Sequence, residues 1–192
     1  MLFVSVDVEA SGPLPGYFDL LSIGAVPVRA TKRGFKIGDE TFYVELKPVH
    51  GTADAGAMKV NKLDLAELTR SGVPIERAAK QMKRYLRALG PPRDPPVFVG
   101  YCANFDWAFM NDFFHRAGVT NPFGYKALDI RSLALGVLPL GWHALKQDKM
   151  LPLLGLDPLS EAEAHNALAD ARHQARMLVA LLERGALAQA RE

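Results

Sequence analysis

The chain has 192 residues, of which 49% are hydrophobic and 23% charged, and its formal net charge is +2. This length fits one domain, the composition excludes disordered, collagen-like and disulfide-scaffold proteins, and the charge excludes a histone-like polycation. Because Cys102 is the only cysteine, no intramolecular disulfide can form, and we expect a cytoplasmic protein without an export signal or a membrane span.

Strands are predicted in the first quarter of the chain. Side chains over residues 2–9 alternate as they do in a strand, which places Asp7 and Glu9 on one face. Residues 20–29 and 41–47 are two further predicted strands, and the polar, glycine-containing segment between them is a predicted turn. The simplest arrangement of the three strands is an antiparallel meander.

Helices dominate the elements predicted after that. Apolar residues recur at helical spacing over residues 75–89. The remaining predictions are a proline-rich loop over residues 90–96, a buried strand over 97–102, and helices over 104–117, 128–136 and 167–184. Strands come first and then alternate with helices, so we predict an α/β fold with a mixed β-sheet flanked by α-helices, in a single domain over residues 1–192.

Asp7 and Glu9 are the first candidate functional residues. They project side by side between apolar neighbours, and burying two anions together is costly without a counter-charge. A divalent metal ion is the simplest counter-charge. The alternative is that both acids face solvent on an edge strand, where alternating acids are ordinary.

Asp106 is the second candidate. It follows the predicted strand 97–102 and lies in the first turn of the next predicted helix, where the helix dipole favours an acid. The same observation allows a purely structural role, since acids commonly begin helices. Most of the aromatic residues nearby have the spacing of core residues, although Phe105 is a candidate for stacking on a nucleobase at a pocket rim.

His165 and Asp170 are the third candidate pair, in the segment HNALAD. On one continuous helix these two side chains would point about 140° apart. If Asn166 caps the helix, His165 lies on the preceding loop and its imidazole can fold back beside Asp170. If a capping box of Ser160 and Glu163 starts the helix earlier, His165 points away, and the sequence permits both arrangements.

Four carboxylates in one site would suit Mg²⁺ or Mn²⁺, because both ions prefer hard oxygen ligands. Two such ions about 4 Å apart would stabilise the attacking and leaving oxygens of a phosphoryl displacement. A nearby histidine would take the proton of the attacking water.

The segments VDVEASG, ANFDWAF and HNALAD, in this order and spread over nearly the whole chain, resemble the three motifs of the DEDDh exonucleases. These are 3′–5′ exonucleases related to polymerase proofreading domains, ribonuclease T and oligoribonuclease. The other branch of the family has a tyrosine where this chain has Asn166, so the resemblance is to the histidine branch. The resemblance implies a ribonuclease H-like fold and nucleoside 5′-monophosphate products. It also implies two metal ions, held by Asp7, Glu9, Asp106 and Asp170. The general base that it implies is His165.

The resemblance also predicts where the substrate binds. It implies that the 3′ end of a single-stranded nucleic acid lies along the backbone of Ala10, Ser11 and Gly12, where glycine permits close approach. Tyr101 and Cys102 stand where the family often has His-Asn, which leaves the choice among RNA, DNA and short oligomers open.

Two other functions compete with the exonuclease. One is a nucleic-acid-binding or scaffold protein that has lost activity, which we would expect to have lost a motif residue. The other is a hydrolase of small phosphate esters, distinguished by its substrate. The sequence is compatible with a monomer, a homodimer or association with a polymerase.

Overall fold

The computed structural model describes residues 1–90 and 95–189. Within these residues, six strands form one mixed sheet. They are β1 (Leu2–Ala10), β2 (Leu20–Thr31), β3 (Gly34–Ile37), β4 (Phe42–Glu45), β5 (Val97–Gly100) and β6 (Ala127–Asp129). The predicted loop over residues 90–96 lies partly outside the described residues, since 91–94 are not among them.

The strand order is β3-β2-β1-β5-β6, and β4 pairs with the other end of β2. β1 is antiparallel to β2 and parallel to β5, and β5 is parallel to β6. Because β1 lies between β2 and β5, the alternative that Asp7 and Glu9 sit on an edge strand is wrong. The carboxyl ends of β1 and β5 meet at one edge of the sheet.

The predicted meander misses one strand. β3 lies inside the segment predicted to be a turn and pairs with residues 28–31 of β2, while β4 pairs with residues 22–25. A two-residue turn of Lys32 and Arg33 joins β2 to β3, and Thr31 Oγ1 accepts a hydrogen bond from the Arg33 N–H at 3.1 Å. Neither turn residue is one of the types that usually signal a hairpin, so the polar sequence concealed it.

Seven α-helices occur within the described residues. They are α1 (Ala55–Asn61), α2 (Leu65–Ser71), α3 (Ile75–Ala88), α4 (Ala103–Arg116), α5 (Ile130–Val137), α6 (Gln147–Leu154) and α7 (Ala167–Gln189). The predictions for α3, α4 and α7 are confirmed, although α7 continues past Gly185. The helix predicted to start at residue 128 starts at Ile130, because Asp129 ends β6 and caps the helix by accepting a hydrogen bond from Ser132 N at 2.7 Å.

The sheet separates two apolar layers. On one face, Val4 and Val6 pack with Met82 of α3 and Phe109 of α4. On the other face, strand residues pack with α5, α6 and α7, including the fully buried Leu178. Over residues 1–90 and 95–189, no helix combines the length and hydropathy that crossing a membrane requires.

Candidate active site

One open pocket of about 280 Å³ lies at the sheet edge where β1 and β5 end. All five residues predicted to form the catalytic site line this pocket. They are Asp7 and Glu9 at the end of β1, Asp106 in the first turn of α4, Asp170 in the first turn of α7, and His165 just before α7. The topology therefore brings together three sequence segments that are far apart in the chain.

Three of the four carboxylates converge closely. Asp7, Glu9 and Asp170 each offer one oxygen, and these oxygens lie within 4.8 Å of one another. Asp106 lines the same pocket but is outside this group, and its Oδ1 accepts a hydrogen bond from Val8 N at 3.2 Å. Gly100 makes room for it, because a Cβ at that position would lie 2.9 Å from Asp106 Oδ2.

The backbone before α7 decides between the two arrangements considered for His165. Asn166 Oδ1 accepts hydrogen bonds from the N–H groups of residues 168 and 169 at 3.2 and 3.1 Å, so it caps the helix. Glu163 does accept a hydrogen bond from the N–H of Ser160, as a capping box requires, and another from its hydroxyl. The residues that follow Ser160 form only a turn over 161–165, so this capping box does not start the helix. His165 separates turn from helix with a left-handed φ of 64° and is exposed at the pocket, so the looped arrangement is confirmed.

Of the predicted substrate-binding residues, Phe105 lines the pocket and residues 10–12 do not. Phe105 lines the pocket, with its ring centroid 5.0 Å from that of Phe109. Ser11 is fully buried, and its hydroxyl donates to Thr52 O at 2.6 Å and accepts from Asp19 N at 2.8 Å. A Cβ at Gly12 would lie 2.4 Å from the Phe18 ring, so internal packing already requires glycine there. The contact of the 3′ end with the backbone of residues 10–12 stays a prediction.

Burial and mutual repulsion disfavour the charged forms of the carboxyl groups in this pocket. Within the described part of the chain, none of the four forms an ion pair with lysine or arginine. Burial, together with Asp170 and Asp106, raises the pKa of Glu9 to about 8. Burial also raises the pKa of Asp106 to about 7 and that of Asp7 well above its ordinary value. A cation bound among these groups would lower their pKa values and favour the charged forms.

The donor set fits a divalent metal ion. Its ligand atoms are hard carboxylate oxygens, and three of them lie close together. Burial and mutual repulsion disfavour their charged forms, which a bound cation would favour. Burial raises the pKa of Asp170 as well, although the neighbouring His165 opposes that shift. The acidic cluster is therefore able to hold a divalent cation.

Gln174 is a residue of the site that the sequence analysis missed. It is 4% exposed, its Nε2 donates to Asp7 Oδ1 at 2.6 Å, and its Oε1 accepts from Tyr101 N at 3.1 Å. Because the Tyr101 N–H is a donor, the amide must present its oxygen there and its NH₂ to Asp7. Gln174 thus orients the Asp7 carboxylate. It lies four residues after Asp170 on the same face of α7, which was the available signal.

Asp129 was missed as well. Besides capping α5, it accepts a hydrogen bond from Ala103 N through Oδ2 at 3.0 Å. Ala103 is the first residue of α4, so this contact fixes the start of the helix that carries Asp106. The sequence analysis placed residue 129 inside the predicted helix 128–136, as its second residue, and that error hid its role.

The metal-free protein should become less stable as the pH rises from about 4.5 to about 8. Glu9 has an ordinary pKa of 4.5 that the fold raises to about 8, so in this window the unfolded chain loses its proton first. The folded state then binds more protons than the unfolded state, and the free energy of unfolding falls with pH. Thermal unfolding in chelator at several pH values measures this.

Other groups also titrate in this window, so the comparison with Glu9→Gln isolates the site. That variant should show a weaker loss of stability with pH than the natural protein. Mn²⁺ should stabilise the natural protein more at pH 8 than at pH 5.5, because binding requires the ionised carboxylates. Equal pH slopes for the two proteins would contradict the prediction.

The chain is similar in sequence to known exonucleases. The model of the 3′-5′ exoribonuclease Rv2179c-like domain family matches residues 3–182. The 3′-5′ DNA exonuclease Cap18 of Escherichia coli is 37% identical over 177 residues, which cover 92% of this chain and 89% of Cap18. Ribonuclease T of Yersinia pestis is 29% identical over 187 residues, which cover 94% of this chain and 84% of that enzyme.

Solved structures share the fold. The nuclease domain of 3′hExo, a DEDDh family member bound to rAMP, matches with a TM-score of 0.77 at 16% identity, covering 96% of this chain and 92% of that domain. Escherichia coli Exonuclease I in complex with a dT13 oligonucleotide matches with a TM-score of 0.74 at 17% identity, covering 98% of this chain and 42% of that enzyme. The predicted ribonuclease H-like fold and the resemblance to DEDDh exonucleases are confirmed. Since the family model spans residues 3–182, the chain belongs to the 3′-5′ exoribonuclease Rv2179c-like domain family.

Proposed function

We propose that this protein is a metal-dependent exonuclease that removes nucleoside 5′-monophosphates, one at a time, from the 3′ end of single-stranded nucleic acid. The observation that carries the proposal is the pocket in which an exposed histidine meets four carboxylates, none of them ion-paired with a lysine or arginine of residues 1–90 and 95–189. A site of this charge suits a metal-assisted phosphodiester hydrolysis. We further propose that the whole chain works as one exonuclease domain.

The proposed cofactor is Mg²⁺ or Mn²⁺, with two ions held by Asp7, Glu9, Asp106 and Asp170. When bound, these ions would stabilise the negative charge that develops on the attacking and leaving oxygens. The protein contributes the orientation of its own ligands. Gln174 holds one oxygen of Asp7 at 2.6 Å, which leaves the rest of that carboxylate directed to the pocket.

His165 is the proposed general base. Its place on a loop beside Asp170, rather than inside a helix, lets the imidazole approach a water molecule in the pocket and accept its proton. Asp170 lines the same pocket as His165. Phe105, at the pocket wall, is the proposed contact for the terminal base.

Both DNA and RNA are proposed substrates. Cap18 is a DNA exonuclease by name, whereas ribonuclease T and the matching family model are named for RNA. A single-stranded end fits a pocket that must admit a terminal nucleotide to the carboxylates. The oligomeric state, a complex with a polymerase and the cytoplasmic location stay predictions.

A gel assay tests the proposal. The purified protein is incubated with 5′-labelled single-stranded RNA and DNA of equal length and sequence, with Mg²⁺, with Mn²⁺ and with chelator. We expect a ladder that shortens from the 3′ end by single nucleotides, disappears in chelator and returns with metal, with nucleoside 5′-monophosphates found by chromatography. Cleavage inside the strand, cleavage in chelator, or release of phosphate only from small esters would overturn it.

A further inference from the structure

Three side chains form a cluster beside the candidate active site that the proposed chemistry does not use. The first is Tyr101, which lines the pocket together with its neighbour Cys102. The second is Arg131, whose guanidinium carbon lies 6.0 Å from the Tyr101 ring centroid. The same carbon lies over the Trp142 ring, 5.1 Å from its centroid. We call Tyr101, Arg131 and Trp142 the aromatic–arginine cluster. It continues the pocket wall from Tyr101 to an exposed indole.

Trp142 leaves much of its surface in water. The residue is 47% exposed and lies on a short 3₁₀-helix, Trp142–Ala144, between α5 and α6. Gln147, the first residue of α6, lies five residues after Trp142 and lines the pocket. A half-exposed indole offers a flat surface on which any nucleobase can stack.

The Arg131 cation lacks a strong partner. Among the residues that the structure describes, no carboxylate lies within 4.0 Å of its guanidinium nitrogens. Its hydrogen-bond contact is Cys102 Sγ at 3.8 Å, and sulfur is a weak acceptor. A guanidinium has five N–H donors in a fork that matches phosphate, so donors remain for an anion.

A purely structural role accounts for only part of this arrangement. The stacking of Arg131 on Trp142 would attach the 3₁₀-helix to α5, and cation–π contacts stabilise proteins modestly. Packing alone, however, favours burial of the large indole surface and an ion-pair partner for the arginine. Here both groups stay available beside a pocket proposed to receive a polyanion.

We propose that Arg131 and Trp142 bind the substrate strand upstream of its terminal nucleotide, with the indole stacking on a base and the guanidinium contacting a phosphate. The inference rests on the proposed exonuclease function. It makes the cluster a binding site for single-stranded nucleic acid, separate from the residues that hold the cleaved bond. The enzyme should then hold longer strands better than substrates of one nucleotide.

Kinetics on a long and a short substrate test the inference. The long one is a single strand of about ten nucleotides, and the short one is the p-nitrophenyl ester of a nucleoside 5′-monophosphate with the preferred sugar. Trp142→Ala and Arg131→Gln should raise KM for the strand about tenfold or more, while changing kcat/KM for the ester by less than about twofold. Trp142→Phe should restore most of the affinity for the strand. Leu153→Ala, an exposed control on α6, should leave the kinetics on both substrates unchanged.

Tryptophan fluorescence provides a second measurement on the natural protein. The chain has two tryptophans, and in chelator, where no cleavage occurs, a single strand should quench the emission of Trp142. Trp142→Phe should abolish this quenching, and Arg131→Gln should lower the salt dependence of binding by about one phosphate contact. Equal losses on strand and ester, or no loss on either and no quenching, would overturn the inference. A natural protein that degrades no strand at all would instead overturn the proposed function.

Discussion

Asp7→Asn should abolish exonuclease turnover and at the same time stabilise the metal-free protein. Asp7 is one of three residues whose carboxylate oxygens lie within 4.8 Å of one another, and its replacement removes the charge of a proposed metal ligand. Charge stabilisation by bound metal is worth several kcal/mol, so we expect a loss of about 1,000-fold or more in kcat. Single-turnover assays in Mn²⁺ measure the loss, and calorimetric titration with Mn²⁺ measures the weakened binding.

The gain in stability follows from the electrostatics of the carboxyl groups in the pocket. Burial and the charges of Asp106, Asp170 and Glu9 raise the pKa of Asp7 well above its ordinary value. A neutral asparagine removes that repulsion, and its amide oxygen still accepts the hydrogen bond from Gln174. Thermal unfolding in chelator at pH 8 should therefore occur at a higher temperature in the variant than in the natural protein.

Two companion variants show whether the effect belongs to the site. Asp157→Asn changes an exposed acid outside the pocket and should leave both turnover and stability unchanged. Gln174→Leu keeps all four carboxylates but removes the donor that orients Asp7, so it should weaken Mn²⁺ binding and lower turnover less than Asp7→Asn does. Full turnover of Asp7→Asn would contradict the assignment of Asp7 as a metal ligand.

The parts of the site that depend on local geometry could be predicted from the sequence. Strand alternation puts Asp7 and Glu9 on one face. The sequence also offers the Asn166 cap that leaves His165 on a loop, but only the structure decides for it over the earlier capping box. The contact between Gln174 and Asp7 joins residues 167 positions apart, so no local pattern indicates it. Its only sequence signal is the shared helix face with Asp170, which gains meaning once α7 is known to pack beside β1.

The errors in the fold have similar causes. β3 is a four-residue strand after a turn of two charged residues, and its pairing with β2 outweighs that polar signal. α1 and α2 are seven-residue helices whose starts depend on the caps Asp54 and Asp64, and segments this short carry too little periodicity to be recognised. The predicted start of α5 failed because Asp129 ends β6 and caps the helix, which therefore begins at Ile130.

His165→Ala should lower turnover strongly while leaving metal binding intact. The imidazole is exposed at the pocket. His165 is not one of the three residues whose ligand atoms lie within 4.8 Å of one another. A positioned general base typically contributes about 10²- to 10⁴-fold to the rate, so we expect kcat to fall by that range. Single-turnover kinetics measure the fall, and calorimetric titration with Mn²⁺ should give an affinity close to that of the natural protein.

The left-handed backbone of His165 requires a second variant, because alanine is strained at a φ of 64° and the loop itself shifts if that strain is relieved. Asparagine tolerates this conformation but cannot accept the proton, so His165→Asn should be as slow as His165→Ala. Added imidazole should restore part of the turnover to the alanine variant, which a change of loop geometry alone would not allow. His115→Ala, an exposed histidine at the end of α4, should remain fully active. If His165→Asn keeps its turnover while His165→Ala loses it, residue 165 acts through its backbone and another group takes the proton.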